Sequence, residues 1–319
     1  MRHLLLFLAA LPLLAVESAR IWDSAPHSAF TDLIRHKNQW ICVFREGRGH
    51  VSSDGSIRVI GSTDGQKWES LSHLTMPNID LRDPKITITP RGELMLTGAA
   101  AHRTQDGQKN VDHDTMVWFS RDGKSWSEPK IIGDHNYWLW RATWFKKQVL
   151  MVGYPTNSGG SGERATRLYT SSDGRNFMSL VPSLVAEGFS NESTILFRKD
   201  GTALCLMRRD EKGFNGLLGT AKPPYMEWKW ADVGARIGGP NFIELPNGRL
   251  IGVVRLYDGK TRTSIVELKA SGGLQELETL PSNGDSSYAG IALHNGELWI
   301  SYYSSHEGKT AIYLARWKP

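Results

Sequence analysis

The chain predicts an all-β fold, a six-bladed β-propeller of four-stranded antiparallel blades. Three observations carry this: a sixfold repeat of about 50 residues, tight turns that mostly bear Gly, and no long stretch of 3.6-residue apolar period. Segments 33–45, 86–99, 144–154, 195–208, 242–255 and 291–303 each hold an alternating apolar run, a turn and a second apolar run. Four of the turns carry Gly, at Pro90-Arg91-Gly92, Asp200-Gly201, Asn247-Gly248 and Asn295-Gly296. The other two read His36-Lys37-Asn38 and Lys146-Lys147-Gln148. Asn-Gly or Asp-Gly between alternating hydrophobics is a strong hairpin signal, because both turn positions need positive φ. Each segment therefore reads as strands A and B of one blade.

The first three units go on to Ser62-Thr63-Asp64-Gly65-Gln66-Lys67-Trp68, Ser120-Arg121-Asp122-Gly123-Lys124-Ser125-Trp126 and Ser171-Ser172-Asp173-Gly174-Arg175-Asn176-Phe177. This S-x-D-G-x-x-aromatic string is the Asp-box, with a structural task. Asp bonds the backbone of its own turn, Gly takes the positive φ, and the aromatic plugs into the blade at the C–D hairpin. The sixth unit runs out after Ala311–Trp317, its strand C. Residues 20–23 are expected to supply its missing outer strand, closing the ring and covering a sheet edge.

Composition agrees. With 319 residues the chain is long enough for one large domain, and 32 Gly, 14 Pro and 12 Trp suit many turns and short, aromatic-rich strands. Met1-Arg2-His3, an apolar core over residues 4–14 and small residues at Ala15, Ser18 and Ala19 read as a secretory signal peptide. That divides the chain into a leader, 1–19, and a propeller, 20–319, secreted or periplasmic, with no membrane span in the mature chain. The net charge of +5 is spread without a polybasic run, so no nucleic-acid partner is expected. Cys42 and Cys205 lie in separate apolar strand patterns and read as buried free thiols. No Cys/His cluster has metal-ligand spacing, and no Gly-rich phosphate loop follows a strand, so neither metal nor cofactor is expected.

Superposing the six units exposes two polar sets. Strand B ends at Arg45, Ala99, Tyr154, Arg208, Arg255 and Tyr303. Three arginines in register, each closing an apolar strand, suit a clamp for a carboxylate or phosphate. Strand A begins at Thr31, Asp83, Arg141, Glu192, Gly239 and Tyr288. The strands are antiparallel and A is innermost, so both sets open on one mouth of the central channel. Asp83, Glu192 and Tyr288 then face the arginines. His50, His113 and Asp114 are candidates to line the mouth or assist acid chemistry, whereas Trp138, Trp140 and Trp144 read first as blade core.

Across nearly the whole mature chain these features resemble the sialidase (neuraminidase) superfamily. The resemblance rests on the three Asp-boxes, Phe44-Arg45-Glu46-Gly47-Arg48, the interval from Asn191-Glu192 to Arg208, Arg255, and Asp285-Ser286-Ser287-Tyr288. It implies Tyr288 as nucleophile with Glu192 as its partner, and Arg208 and Arg255 on the substrate carboxylate. It also implies Glu307 as an acid bracing an arginine. The Arg-Ile-Pro motif that normally heads blade 1 is Ala29-Phe30-Thr31-Asp32 here, and Arg45 on the neighbouring strand is taken to reach the same spot. The acid is Asp54, by nearness to the family position, or Asp83, by repeat geometry. Arg141 and His50 complete the expected substrate contacts.

The implied activity is that of an exo-α-sialidase, a monomer acting on sialylated glycans with retention. Sialidases use tyrosine where most glycosidases use a carboxylate, and a neutral nucleophile avoids repulsion with the sugar's own carboxylate. The alternatives are a non-catalytic propeller that binds acidic glycans, and a glycosidase for another anionic sugar.

Overall fold

Twenty-five strands and no helix make up the residues that the computed structural model describes, 16–104, 109–156 and 162–319. Among them no helix is long and apolar enough to cross a membrane. The strands form six antiparallel sheets arranged as a propeller.

Blade 1 is β2 (His27–His36), β3 (Gln39–Gly47), β4 (Ser56–Ser62) and β5 (Glu69–Leu74). Blade 2 is β6 (Ile79–Ile88), β7 (Leu94–Arg103), β8 (Asn110–Ser120) and β9 (Lys130–Ile132). In blade 3 the inner strand is broken into β10 (Tyr137–Leu139) and β11 (Thr143–Phe145). Both pair with β12 (Gln148–Pro155), followed by β13 (Thr166–Ser171) and β14 (Met178–Val185). Blades 4 and 5 are β15 (Ser190–Phe197) to β18 (Lys229–Asp232) and β19 (Ile237–Glu244) to β22 (Leu274–Thr279). Blade 6 is β23 (Ser286–His294), β24 (Glu297–Ser304), β25 (Ala311–Trp317) and, outermost, β1 (Glu17–Trp22).

The N-terminal strand thus closes the ring, with Ala19 opposite Leu314 and Arg20 opposite Tyr313. It begins at Glu17, three residues before the expected Arg20, and Ser18 Oγ lies 2.8 Å from Tyr302 Oη. The apolar run read as a leader falls in residues 1–15, outside the described residues.

Alternation places one face of each sheet against the next blade. Ile41, Val43, Ile57 and Val59 of blade 1 pack on Leu81, Ile86, Leu94 and Leu96 of blade 2, all fully or almost fully buried. The three S-x-D-G strings make the C–D turns. Asp64 Oδ1 accepts from the N–H of Gln66 and Lys67 at 2.8 and 2.9 Å, and Asp122 and Asp173 repeat the pattern. Gly65 adopts φ 76°, which a side chain would resist. Cys42 and Cys205 are buried and free, as expected.

The inner strands share one further feature. Pairing slips between Ala29 and Asp32, Arg82 and Lys85, Ser190 and Ser193, Gly238 and Asn241, and Ser287 and Gly290. Blade 3 breaks its inner strand at the corresponding place, residues 140–142. Phe30, Asp83, Gly239 and Tyr288 have φ of 63°, 46°, 54° and 52° within these bulges. A bulge turns side chains off the regular pleat, and positive φ at a non-Gly residue costs about 1–3 kcal/mol. The bulges bring Phe30, Tyr288 and Glu192 of three different blades together at the head of the channel.

Candidate active site

The bulges of blades 4 and 6 bring Glu192 and Tyr288 into contact. Tyr288 Oη donates to Glu192 Oε1 at 2.5 Å. Arg208 Nη1 donates to both, to Glu192 Oε2 at 2.8 Å and to Tyr288 Oη at 2.9 Å. The backbone N–H of Gly239 gives Glu192 Oε2 a further bond at 2.9 Å. A Cβ at Gly239 would stand 2.9 Å from the Tyr288 ring, so glycine permits this approach. Thr31, from the next inner strand, donates to the Tyr288 carbonyl at 2.8 Å and fixes its backbone. Arg255 lies over the Tyr288 ring, Cζ 5.2 Å from its centroid. Burial and then the Glu192 carboxylate push the Tyr288 phenol well above its ordinary range, against the pull of Arg208 and Arg255. At neutral pH the resting group is a phenol poised on a proton acceptor.

The arginines have their own braces. Asp210 holds Arg208 through Nε and Nη2 at 3.0 and 2.9 Å. Arg255 is bound to the Ser286 carbonyl, to Tyr303 Oη at 3.0 Å and to Asp285 Oδ1 at 3.5 Å. Its Nη1 makes no hydrogen bond among the described residues. Asp285 is the acid of the pair assumed for Glu307, and the correction is clear. Glu307 sits on the outer side of blade 6, accepting from Tyr313 Oη at 2.8 Å and lying 3.6 Å from Arg20.

Arg45 is a second correction. It is fully buried at the joint between blades 1 and 2, where its Nε donates to Asp80 Oδ1 at 2.8 Å and Nη1 to the Gly49 carbonyl at 2.8 Å. It joins blades and does not face the mouth. A further guanidinium near the site is that of Arg82, which sequence reasoning passed over because blade 2 ends its strand B with Ala99. Arg82 precedes the bulge residue Asp83, its Cζ lies 5.0 Å from the Phe30 ring centroid, and Nη1 donates to the His50 carbonyl at 2.7 Å.

The two candidate acids separate. Asp54 is on the surface, bonded to the backbone N–H and Nε of Arg48 at 3.3 and 3.1 Å, and lines a side groove of about 610 Å³ with Met76 and Arg103. It is not in the mouth. Asp83 is, but deep: it is 4% exposed and its Oδ1 has no partner among the described residues. Burial raises the pKa of Asp83 against the pull of Lys85 and Arg82, and Glu192 adds to the rise. Lys85 shares this floor, its Nζ 4.8 Å from the Trp140 ring centroid, and burial lowers its pKa to about 8. Trp140 in turn packs 5.9 Å from Tyr288, so it lines the site as well as the core. Arg141 turns across the channel, Nη1 donating to Asp32 Oδ2 at 2.7 Å.

His50 is at the rim. Its ring stands edge-on to Phe30 at 5.2 Å, and Phe30 stands edge-on to Tyr288 at 5.2 Å. Its Nδ1 is 2.6 Å from Asp285 Oδ2, which His27 Nε2 also meets at 3.0 Å. A carboxylate only accepts, so both imidazoles donate. Burial raises the pKa of Asp285, but the bonds from His27, His50 and Tyr303 outweigh it and hold the carboxyl ionised well below the usual range. His27 Nε2, His50 Nδ1 and an Asp285 oxygen lie within 4.8 Å of one another, a grouping of metal-ligand type. It does not fit a metal well. A metal on His27 Nε2 would leave the proton on Nδ1, which is buried without a partner among the described residues, an unpaired donor worth about 1–3 kcal/mol.

His113 and Asp114 leave the site altogether. His113 is fully buried against Trp138, with ring centroids 4.7 Å apart and neither nitrogen partnered among the described residues, and Asp114 pairs with His135 at 3.0 Å. Burial, then Arg82, keeps the His113 imidazole neutral, its pKa lowered to about 3 from the ordinary 6.5. Between these values the unfolded chain binds a proton that the fold refuses, so this contribution is complete above pH 6.5 and is lost as pH falls towards 3. The denaturant midpoint of the protein is therefore expected to fall more steeply from pH 6.5 to 4 than that of His113→Leu. Parallel curves would refute the account.

A phenol–carboxylate pair between guanidinium groups, at the mouth of a six-bladed propeller, defines the class of site. No protein-family model and no curated protein matches the sequence. Among solved structures the chain is similar in fold to a protein of unknown function from Dyadobacter fermentans, with TM-score 0.79 and 19% identity over 95% of this chain and 98% of that one. It is similar also to the GH93 α-L-arabinofuranosidase of Fusarium graminearum, with TM-score 0.74 and 13% identity over 94% and 97%. The Trypanosoma rangeli sialidase follows, with TM-score 0.72 and 12% identity over 92% of this chain and 55% of that one, so this chain spans about half its length. At these identities the likeness establishes the six-bladed propeller fold.

Proposed function

We propose that the protein is a retaining exo-α-sialidase, with Tyr288 as nucleophile, Glu192 as the base that takes its proton, and Arg208 and Arg255 as the carboxylate clamp. The observation that carries this is the 2.5 Å bond from Tyr288 Oη to Glu192 with Arg208 bridging both partners. Tyrosine is a poor nucleophile while protonated, and a carboxylate in direct contact removes its proton as the bond to the anomeric carbon forms. A sugar whose anomeric carbon bears a carboxylate would repel an anionic nucleophile, and a neutral phenol between two guanidinium groups meets it without that cost. Nη1 of Arg255, without a hydrogen bond among the described residues, is turned to account by the incoming carboxylate, with Arg82 on the Phe30 side of the mouth. Structures of the same fold include a sialidase with 2,3-difluorosialic acid described as a covalent intermediate, which supports the reading by analogy. Export by a leader in the first residues would bring the enzyme to sialylated glycans.

A second reading, a glycosidase for another anionic sugar, is favoured by one observation. Phe30, and not the expected Thr31, holds the bulge position of blade 1 that Tyr288 holds in blade 6, so an apolar ring, covered by Arg82, Tyr288 and Tyr303, stands where the resemblance expects an arginine. One incubation separates the readings. With α2,3- and α2,6-sialyllactose, proton NMR should show free sialic acid formed first as the α-anomer. A first-formed β-anomer would overturn the covalent tyrosine mechanism. No release, together with turnover of another anionic glycoside, would select the second reading, and binding without turnover of either would select a lectin.

A further inference from the structure

We propose that His50, held by Asp285, is the proton donor to the leaving group and the base that later activates water, a task that neither Asp54 nor Asp83 is placed to perform. The inference rests on the glycosidase reading above and names the missing partner of Tyr288. In a retaining displacement the nucleophile and the leaving oxygen lie on opposite faces of the anomeric carbon, so the donor must stand above the nucleophile, toward solvent. Tyr288, 8% exposed, forms the floor with Asp83 and Trp140. Asp83 is therefore on the wrong side, and Asp54 is bound to Arg48 outside the mouth.

His50 meets the requirement on three counts. It sits on the loop between β3 and β4, half exposed, and that loop is tied down by the 2.7 Å bond from Arg82 Nη1 to the His50 carbonyl. Its ring and that of Tyr288 flank the same Phe30 side chain, each edge-on at 5.2 Å. Its Nδ1 is taken by Asp285 at 2.6 Å, while Nε2 makes no hydrogen bond among the described residues. Asp285 is itself oriented by Tyr303 Oη at 2.7 Å and by His27. A carboxylate on one imidazole nitrogen fixes the ring and its tautomer and stabilises the imidazolium, leaving the other nitrogen to exchange the proton.

The step balances. The imidazolium gives its Nε2 proton to the glycosidic oxygen as the bond from that oxygen to the anomeric carbon breaks. The bond from Tyr288 Oη to the same carbon forms, and the phenol proton passes to Glu192. In the second half the neutral imidazole takes a proton from water as the water oxygen bonds the anomeric carbon. Tyr288 departs and recovers its proton from Glu192.

The test compares two leaving groups. Positioned acid catalysis contributes about 10²–10⁴-fold, but matters little when the departing phenolate is already stable. For His50→Gln, kcat/KM on α-sialyllactose is expected to fall by about 10²–10⁴-fold, and on 4-nitrophenyl α-sialoside by less than about tenfold. The ratio of the two is read within one sample, so it does not depend on the fraction folded. Asp285→Asn, acting through His50, should move the ratio in the same direction by a smaller amount. Equal losses on both substrates, or no loss on either, would overturn the assignment while leaving Tyr288 and Glu192 in place. If the unaltered protein hydrolyses neither substrate, the sialidase reading falls and the role of His50 falls with it.

Discussion

Tyr288→Phe is expected to lower kcat for sialoside hydrolysis by about 10³-fold or more, the scale at which a covalent nucleophile is lost. That corresponds to about 4 kcal/mol of the barrier. The change removes one oxygen. The ring keeps its neighbours Phe30 at 5.2 Å, Trp140 at 5.9 Å and Tyr303 at 6.0 Å, and Glu192 keeps its bonds from Arg208 and Gly239. The fold should be retained, as a thermal melt would show. Substrate affinity should also survive, because Arg208 and Arg255 are held by Asp210, Ser286 and Tyr303 independently of the phenol. The expected signature is thus a collapse of kcat with KM changed little. Turnover within tenfold of the unaltered protein would remove Tyr288 from the mechanism.

The largest effect on stability is expected at Asp80. Its carboxylate is fully buried and accepts from three arginines: Arg45 Nε at 2.8 Å, Arg82 Nη1 at 3.2 Å and Arg103 Nε at 2.6 Å. Asp80→Ala leaves these cations buried at the joint of blades 1 and 2 without the carboxylate they share, and among the described residues only Arg82 keeps a neighbouring acid, Asp83 at 3.7 Å. Removing one partner of a buried ion pair costs about 3–5 kcal/mol, and here the guanidinium groups also repel one another. Equilibrium denaturation should register that loss as a lower midpoint. Activity should fall beyond it, since Arg82 anchors the His50 loop. A change below about 1 kcal/mol would mean that the cluster does not hold the joint.

Much of this architecture is legible from local chemistry. Asn247-Gly248 can only be a tight turn between the apolar runs flanking it, and Asp64, Asp122 and Asp173 bond backbone two and three residues away. Such signals act within a few residues and repeat at one phase, so blade number and the placing of Glu192, Arg208, Arg255 and Tyr288 at one mouth follow from laying the units on each other. His50, by contrast, entered beside His113 and Asp114 as one of three candidates for the mouth, and nothing local marks it. Its value comes from Asp285, 235 residues away.

The chain alone therefore determined the propeller, the strand that closes it and the phenol–carboxylate–guanidinium core of the site. Tertiary structure decided which repeat-equivalent residues meet at the mouth and which are sealed between blades. Arg45 and Arg255 stand at the same register, opposite Ala29 and Gly238, and each reaches an acid of the following blade. Asp80 is sealed among three arginines, so Arg45 is structural, while Asp285 opens to the mouth between Arg255, His27 and His50. The reason is physical: register sets where a side chain starts, but its role depends on partners brought in from other blades and on how much water they leave around it.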